Sequence, residues 1–280
     1  MEWETKLQER LNKPITFKEV VKVIYSDTYG INTPYMSTEF SAQTGTRGVS
    51  YGFSEFTLTN DQLLINTFKI VPVFLDEADL AQCKLANQME IAERQAALIN
   101  EALESAVLGG HAGWTNFDNT AIGGAAGKIT VSINNIDNII RAIKREIAEN
   151  NAQSLADRNG IFIVWRAADM EILEEFCQAN GFNLADTALK NGIQSGYHFM
   201  NVDHYLSNSH TANHLFAGVK KIMTLGILNS TYGKIKVLDD PASGVSTYGP
   251  VSGKSVVSRV DYGINTPTGL KAAVFDVAVS

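Results

Sequence analysis

Residues 76–108, DEADLAQCKLANQMEIAERQAALINEALESAVL, form the stretch from which the rest of the chain is read. Leu85, Met89, Ala92, Ala96, Ile99, Leu103 and Ala106 recur at alternating steps of four and three, the spacing that stacks side chains on one face of a helix. Asp76 is placed to cap the helix, and Glu77 and Asp79 suit its positive end. No Gly or Pro intervenes before Gly109-Gly110, which stops it. About 30 residues at ~1.5 Å each make a rod of roughly 45 Å. Its apolar stripe is narrow and rich in alanine, so the rod is expected to lie close along a sheet or another chain rather than inside a globular core.

N-terminal to the rod, residues 29–75 read as extended. Phe53, Phe56 and Leu58 lead to a turn signal at Thr59-Asn60-Asp61, and Leu63 through Val73-Phe74 continue beyond it, which predicts a hairpin. Residues 41–50 are small, polar and glycine-containing and read as a mobile loop tip. Residues 1–28 carry Trp3, Leu7 and Leu11 at helical spacing, then Phe17, Val20, Val21 and Ile24. That is too little apolar surface to fold alone, so the segment must lie on the rest of the chain or on a neighbour.

C-terminal to the rod, residues 109–132 are loop-like. Ile136, Ile139, Ile140, Ile143 and Ile147 define a second helix over 134–150, with Arg141, Lys144, Arg145, Glu146 and Glu149 opposite. Residues 155–240 alternate between strand and helix. Ile161-Phe162-Ile163-Val164-Trp165 has the unbroken apolar run of a strand buried on both faces. A helix over 169–179 turns Met170, Leu173, Phe176 and Cys177 inward. Tyr197, Phe199 and Val202, then Lys220 through Leu225, then Ile235 through Leu238 suggest further strands, and Leu270 through Val279 a last one. Tyr29-Gly30-Ile31-Asn32-Thr33-Pro34 recurs as residues 262–267 with unlike flanks, and reads as one turn used twice.

The chemistry-bearing patterns are weak. The chain carries 23 Lys+Arg against 30 Asp+Glu, a net charge of −7, so there is no overall basic footprint for nucleic acid. The 45% apolar content excludes wholesale disorder, and no run is long enough for a membrane helix. Met1 to Lys6 is charged and is not a secretory signal. Cys83 and Cys177 are too few for a disulfide scaffold and read as reduced, buried thiols. Residues 123–130, GGAAGKIT, miss a phosphate loop at two places, since Ile122 and Ile129 stand where Gly and Ser or Thr are needed. Ser195 lacks the flanking glycines of a nucleophile elbow. Glu174-Glu175 and Asp239-Asp240 are adjacent pairs, and on a helix the former diverge. Asn229-Ser230-Thr231 has the pattern of a glycosylation acceptor but no secretory signal to accompany it. His198, His204, His210 and His214 cluster in sequence, and the last two would share one face of a helix. Thr211 stands where a zinc protease has Glu, so these read as surface or hydrogen-bonded histidines. No catalytic, cofactor-binding or metal residue is assigned.

The order of elements is more informative. Residues 75–80, Leu-Asp-Glu-Ala-Asp-Leu, run into the helix ending at 99–109, and residues 205–208 and 215–222 match strand regions. Together these resemble the tailed-bacteriophage major capsid proteins of the Hong Kong 97-like fold. The resemblance implies an α+β fold divided into an N-terminal arm (1–28), an extended loop (29–75), and a peripheral domain with its spine helix (76–154, spine 76–108). An axial domain (155–254) and a return to the peripheral domain (255–280) complete it. It implies a non-enzymatic shell protein without cofactor, assembled as hexamers and pentamers around double-stranded DNA contacted only weakly. A scaffold protein separate from the chain, a portal and decoration proteins would be partners, with the virion as location and the host cytoplasm during assembly. The arm and loop would be stabilised by sister copies. Lys69 lies at the base of the extended loop and Arg47 at its tip, so no covalent crosslink is expected. Alternatives are the shell of an encapsulin-type nanocompartment built on the same fold, or a metal-binding enzyme using the histidines between 198 and 214.

Overall fold

The computed structural model describes residues 16–36, 44–48, 52, 58–76, 85–117, 127–180, 196–210, 213–239 and 253–280. Its strands are β1 Lys22–Ser26, β2 Gly30–Met36, β3 Leu58–Leu64, β4 Thr67–Asp76, β5 Thr115–Asn116, β6 Ile161–Trp165, β7 Gly196–Phe199, β8 Val202–Leu206, β9 His214–Val219, β10 Thr224–Leu228, β11 Ile235–Asp239, β12 Gly253–Asn265 and β13 Val274–Ala278. The long helix spans Leu85–Leu108, about 36 Å at ~1.5 Å per residue. Asp76 does not cap it, because Asp76 is the last residue of β4, paired with Gly253.

Three sheets organise the chain. In the five-stranded sheet β12 is the axis. One edge of β12 pairs with β4 over its whole described length, from Gly253 opposite Asp76 to Tyr262 opposite Thr67. The other edge carries β11 beside residues 254–258 and β10 beside residues 262–265. β1 joins parallel to β10, Lys22 opposite Thr224. The long helix lies along this sheet as its alanine stripe predicts. Ala92 and Ala96 are fully buried, and small side chains let helix and strands approach closely. Gln95 is buried in the same contact. Its Nε2 donates to the carbonyls of Val71 and Val256 at 3.1 Å each, and its Oε1 accepts from Ser258 Oγ at 2.9 Å. One polar side chain thus ties the helix to both β4 and β12.

The hairpin is β2 with β3, in register from Gly30 opposite Leu64 to Met36 opposite Leu58. This corrects the turn expected at Thr59-Asn60-Asp61, which lies within β3. Asp61 is a turn-former when its carboxylate closes on local backbone. Here it accepts from Asn265 Nδ2 at 3.1 Å and from the Thr268 N–H at 2.8 Å as well as from the neighbouring Gln62 backbone. Partners far along the chain thus share the group that a local turn would have used. Of the expected loop tip, Thr44–Gly48 are exposed; residues 41–43 and 49–50 lie outside the described residues. The repeated Tyr-Gly-Ile-Asn-Thr-Pro segment is likewise no turn. Its first copy enters β2 and its second ends β12. A Cβ on Gly263 would stand 2.0 Å from the Leu64 carbonyl oxygen, and one on Gly226 would meet Leu63 Cδ2 at 2.7 Å. The two glycines, opposite each other in the β10–β12 pair, form the bare floor on which the hairpin base rests.

The six-stranded sheet runs β5-β13-β9-β6-β8-β7. All five residues of β6 are buried, as the unbroken apolar run predicts. The helix Ile136–Glu149 buries Ile136, Ile139, Ile140, Ile143 and Ile147. It packs on β9 and on the helix Ala167–Ala179, so it belongs to this sheet and not to the long helix. The chain's last segment is divided: β12 is in the five-stranded sheet, while β13 pairs with β9 in the six-stranded one. Two strand boundaries also shift. Lys220 and Lys221 form a turn between β9 and β10, with Lys221 at φ 62°, and Thr268–Ala273 form a 3₁₀ helix before β13.

The N-terminal segment is anchored within its own chain. Helix Thr16–Val20 and the following residue bury Phe17, Val20 and Val21 in the main core, and β1 continues into the sheet. Phe17, Val20 and Val21 therefore find stabilising surface within their own chain. Residues 1–15 lie outside the described residues.

Candidate assembly surface

In β4, TFKIVPVFLD, alternate side chains point to opposite faces. Val71 and Val73 turn toward the long helix and are half-buried. Phe68, Ile70 and Phe74 point the other way and are 53, 48 and 42% exposed. The register places Asp261, Arg259 and Ser255 of β12 opposite them on the same face. Arg259 lies over the Phe68 ring at 4.4 Å and holds the Asp261 carboxylate at 2.6 Å. Asp261 Oδ2 is buried without a partner among the described residues.

Two further features open this region outward. Among the described residues β4 pairs with β12 alone, so one edge of this ten-residue strand has no ladder partner there. Pro72 sits in that strand, where an edge position tolerates its missing N–H. Leu58 and Leu64 of β3 and Tyr29 before β2 are also exposed, at 59, 50 and 62%. A run of large apolar side chains beside a strand edge of this kind is a candidate surface for contact with another protein.

A groove of about 600 Å³ separates the hairpin from the end of the long helix. Gln62, Asn66, Lys69, Ser105, Tyr262 and Asn265 are among its walls. Lys69 lies in β4 opposite Val260, at the base of the hairpin as expected. Arg47 is exposed.

The four sequence-clustered histidines separate into different settings. His198 is exposed on β7 and its Nδ1 stands 2.7 Å from Asp203 Oδ1. Asp203 also faces Lys220 Nζ at 2.5 Å. Burial pushes the Asp203 carboxyl up, but the Lys220 ammonium and then His198 outweigh it and hold it low. His204 is buried, accepting from Trp165 Nε1 at 2.9 Å, and burial pushes its pKa down to about 4. His210 lies in no helix; its Nε2 is buried without a partner among the described residues, and burial lowers it too to about 4. His214 opens a strand, so the helical face expected for His210 and His214 does not form. Cys177 is buried, and desolvation with the nearby Glu174 pushes its thiol up to about 11, which keeps it a thiol. Glu174 and Glu175 are exposed. Of residues 123–130 only 127–130 are described, as a 3₁₀ residue and an isolated bridge from Ile129 to Val279. Cys83, Ser195 and Asp240 lie outside the described residues.

Two residues important here carry no sequence signal. Gln95 is polar in an apolar stripe, and His111 stands alone in a glycine-rich connection, far in sequence from the other histidines.

No protein-family model matches the chain, and no curated protein does. Solved structures match along nearly its whole length. The capsid of a native GTA particle superposes with a TM-score of 0.62 at 16% identity, covering 95% of this chain and 90% of that one. The capsid of cyanophage P-SCSP1u gives 0.54 at 10%, covering 96% and 89%. A virus-like particle from Pyrococcus furiosus gives 0.51 at 11%, covering 99% and 97%. The chain thus has the α+β, Hong Kong 97-like fold expected from its element order.

Proposed function

We propose that the chain is a major capsid protein of a tailed double-stranded DNA bacteriophage, a structural protein without catalysis. The observation that carries this reading is the end-to-end match to shell subunits, high in coverage of both chains. In this reading the hairpin β2–β3 is the extended loop. The long helix with the five-stranded sheet is the peripheral domain, and the six-stranded sheet with the helices between residues 136 and 179 is the axial domain. Copies assemble as hexamers and pentamers, the β4 face of each subunit being covered by a neighbour. A scaffold protein, a portal and decoration proteins act on the assembly. The virion is the final location and the host cytoplasm the place of assembly. The net charge of −7 suits an inner wall that holds DNA without gripping it.

A second reading, the shell of an encapsulin-type nanocompartment, rests on the same fold and is less well supported. Contents separate the two. Nucleic acid recovered from particles purified from the native source supports the phage head; a co-purifying enzyme in stoichiometric amounts supports the compartment. Sedimentation velocity tests both at once: large, discrete oligomers are expected, and a monomer at every concentration overturns the shell. Denaturing gels of the particles are expected to show single chains, since no lysine stands at the loop tip.

A further inference from the structure

His111, His214 and Asp276 come from three separate elements. His111 lies in the 3₁₀ turn Gly109–Gly113 after the long helix, His214 opens β9, and Asp276 is central in β13. The β9–β13 register sets Asp276 opposite Phe216 and Ala278 opposite His214, so His214 and Asp276 share one face of the sheet. The turn brings His111 onto the same face. Its ring stacks on that of His214 with centroids 3.9 Å apart and planes 18° apart. His214 Nδ1 stands 2.9 and 3.0 Å from the two carboxylate oxygens of Asp276, and His111 Nδ1 stands 3.6 Å from Oδ2. Among the described residues this is the one trio whose metal-binding atoms all lie within 4.8 Å of one another.

We propose that His111, His214 and Asp276 bind one divalent transition-metal ion of the zinc class, fastening the end of the long helix to the six-stranded sheet. Two imidazoles and a carboxylate are the donors such an ion takes, and hard cations such as calcium prefer oxygen alone. Around a tetrahedral ion with bonds of about 2.0–2.1 Å, neighbouring donor atoms stand roughly 3.3 Å apart. The His214–Asp276 separation of 2.9 Å and the His111–Asp276 separation of 3.6 Å bracket that spacing, and the two imidazole donor atoms lie within 4.8 Å of each other. The side chain of Asp276 is 8% exposed and fixed in a strand paired on both edges, so it is the rigid member. The two rings are 25 and 28% exposed and open the site to solvent, which leaves the fourth position to water. Parallel rings cannot aim both lone pairs at one point, so loading swings one ring out of the stack. The ion closes a loop that runs from the long helix through the whole six-stranded sheet, and a ligand that binds only the folded form stabilises it by mass action.

The test is calorimetric titration of the full chain with zinc chloride, with cobalt(II) as the spectroscopic probe. One ion per chain is expected, with visible ligand-field bands of a tetrahedral cobalt site and an unfolding temperature raised by zinc and restored by chelator. His111→Ala and His214→Ala are each expected to weaken binding by about 100-fold or more. His198→Ala, whose ring pairs with Asp203 elsewhere on the sheet, is expected to leave it unchanged. No heat and no thermal shift for the unaltered chain at about 100 µM zinc overturns the site. So does binding that survives both replacements. The measurements on the unaltered chain decide the matter even where a variant folds poorly.

Discussion

At Gly263 a single added methyl would stand 2.0 Å from the carbonyl oxygen of Leu64, a backbone atom with no rotamer to retreat into. Gly263→Ala therefore forces the hairpin off the sheet, and the expected loss is about 1–3 kcal/mol, read by chemical denaturation. Unchanged stability would mean that the hairpin base does not rest on β12. His204 acts differently. Its Nδ1 accepts from Trp165 and its Nε2 faces the Phe199 carbonyl at 3.2 Å, so the folded chain holds it neutral. Its pKa is pushed down to about 4 by burial, below the ordinary 6.5. Between those values the unfolded chain binds the extra proton and the folded one does not. Stability is thus full above pH 6.5, falls as pH drops toward 4, and levels below it. His210, lowered in the same direction, adds to the same window. His204→Gln is expected to reduce the slope of unfolding free energy against pH in that window by about one proton's worth. A urea series across pH measures it, and an unaltered slope contradicts the assignment.

Among the elements, β4 carries the clearest consequence. Phe68→Ser with Ile70→Ser alters side chains that are about half exposed, so the folded subunit is expected to keep its thermal stability while losing assembly. Melting curves and sedimentation together read this; assembly undiminished by the pair would remove β4 from the interface. The elements also show what a sequence reveals. Helix Ile136–Glu149 and strand Ile161–Trp165 were legible because one periodicity, 3.6 or none, decides each. The long helix was legible in its stripe and in its stop, and its start was not, because Asp76 pairs in a strand. The hairpin was placed in the right region and paired wrongly. Its partners are separated by residues 37–57, and local turn signals cannot report a pairing across such a gap. Gln95 and His111 were invisible for a related reason: each matters through groups far along the chain, such as Val256 and Asp276.

For the whole molecule, the order of elements was more informative than any motif, since order survives where identity has fallen to 10–16%. Phe17, Val20 and Val21 are held in their own chain's core, while the hairpin and the outer face of β4 leave large apolar side chains exposed. An open strand edge and exposed aromatic side chains are costly on a lone subunit and become useful when each copy covers the next. Electron cryomicroscopy of the purified assembly tests this most directly. A closed shell of fivefold and sixfold capsomers, with Phe68, Ile70 and Phe74 beneath an adjacent subunit, is the predicted result. Particles without such symmetry, or a shell in which those three side chains face open solvent, would contradict it.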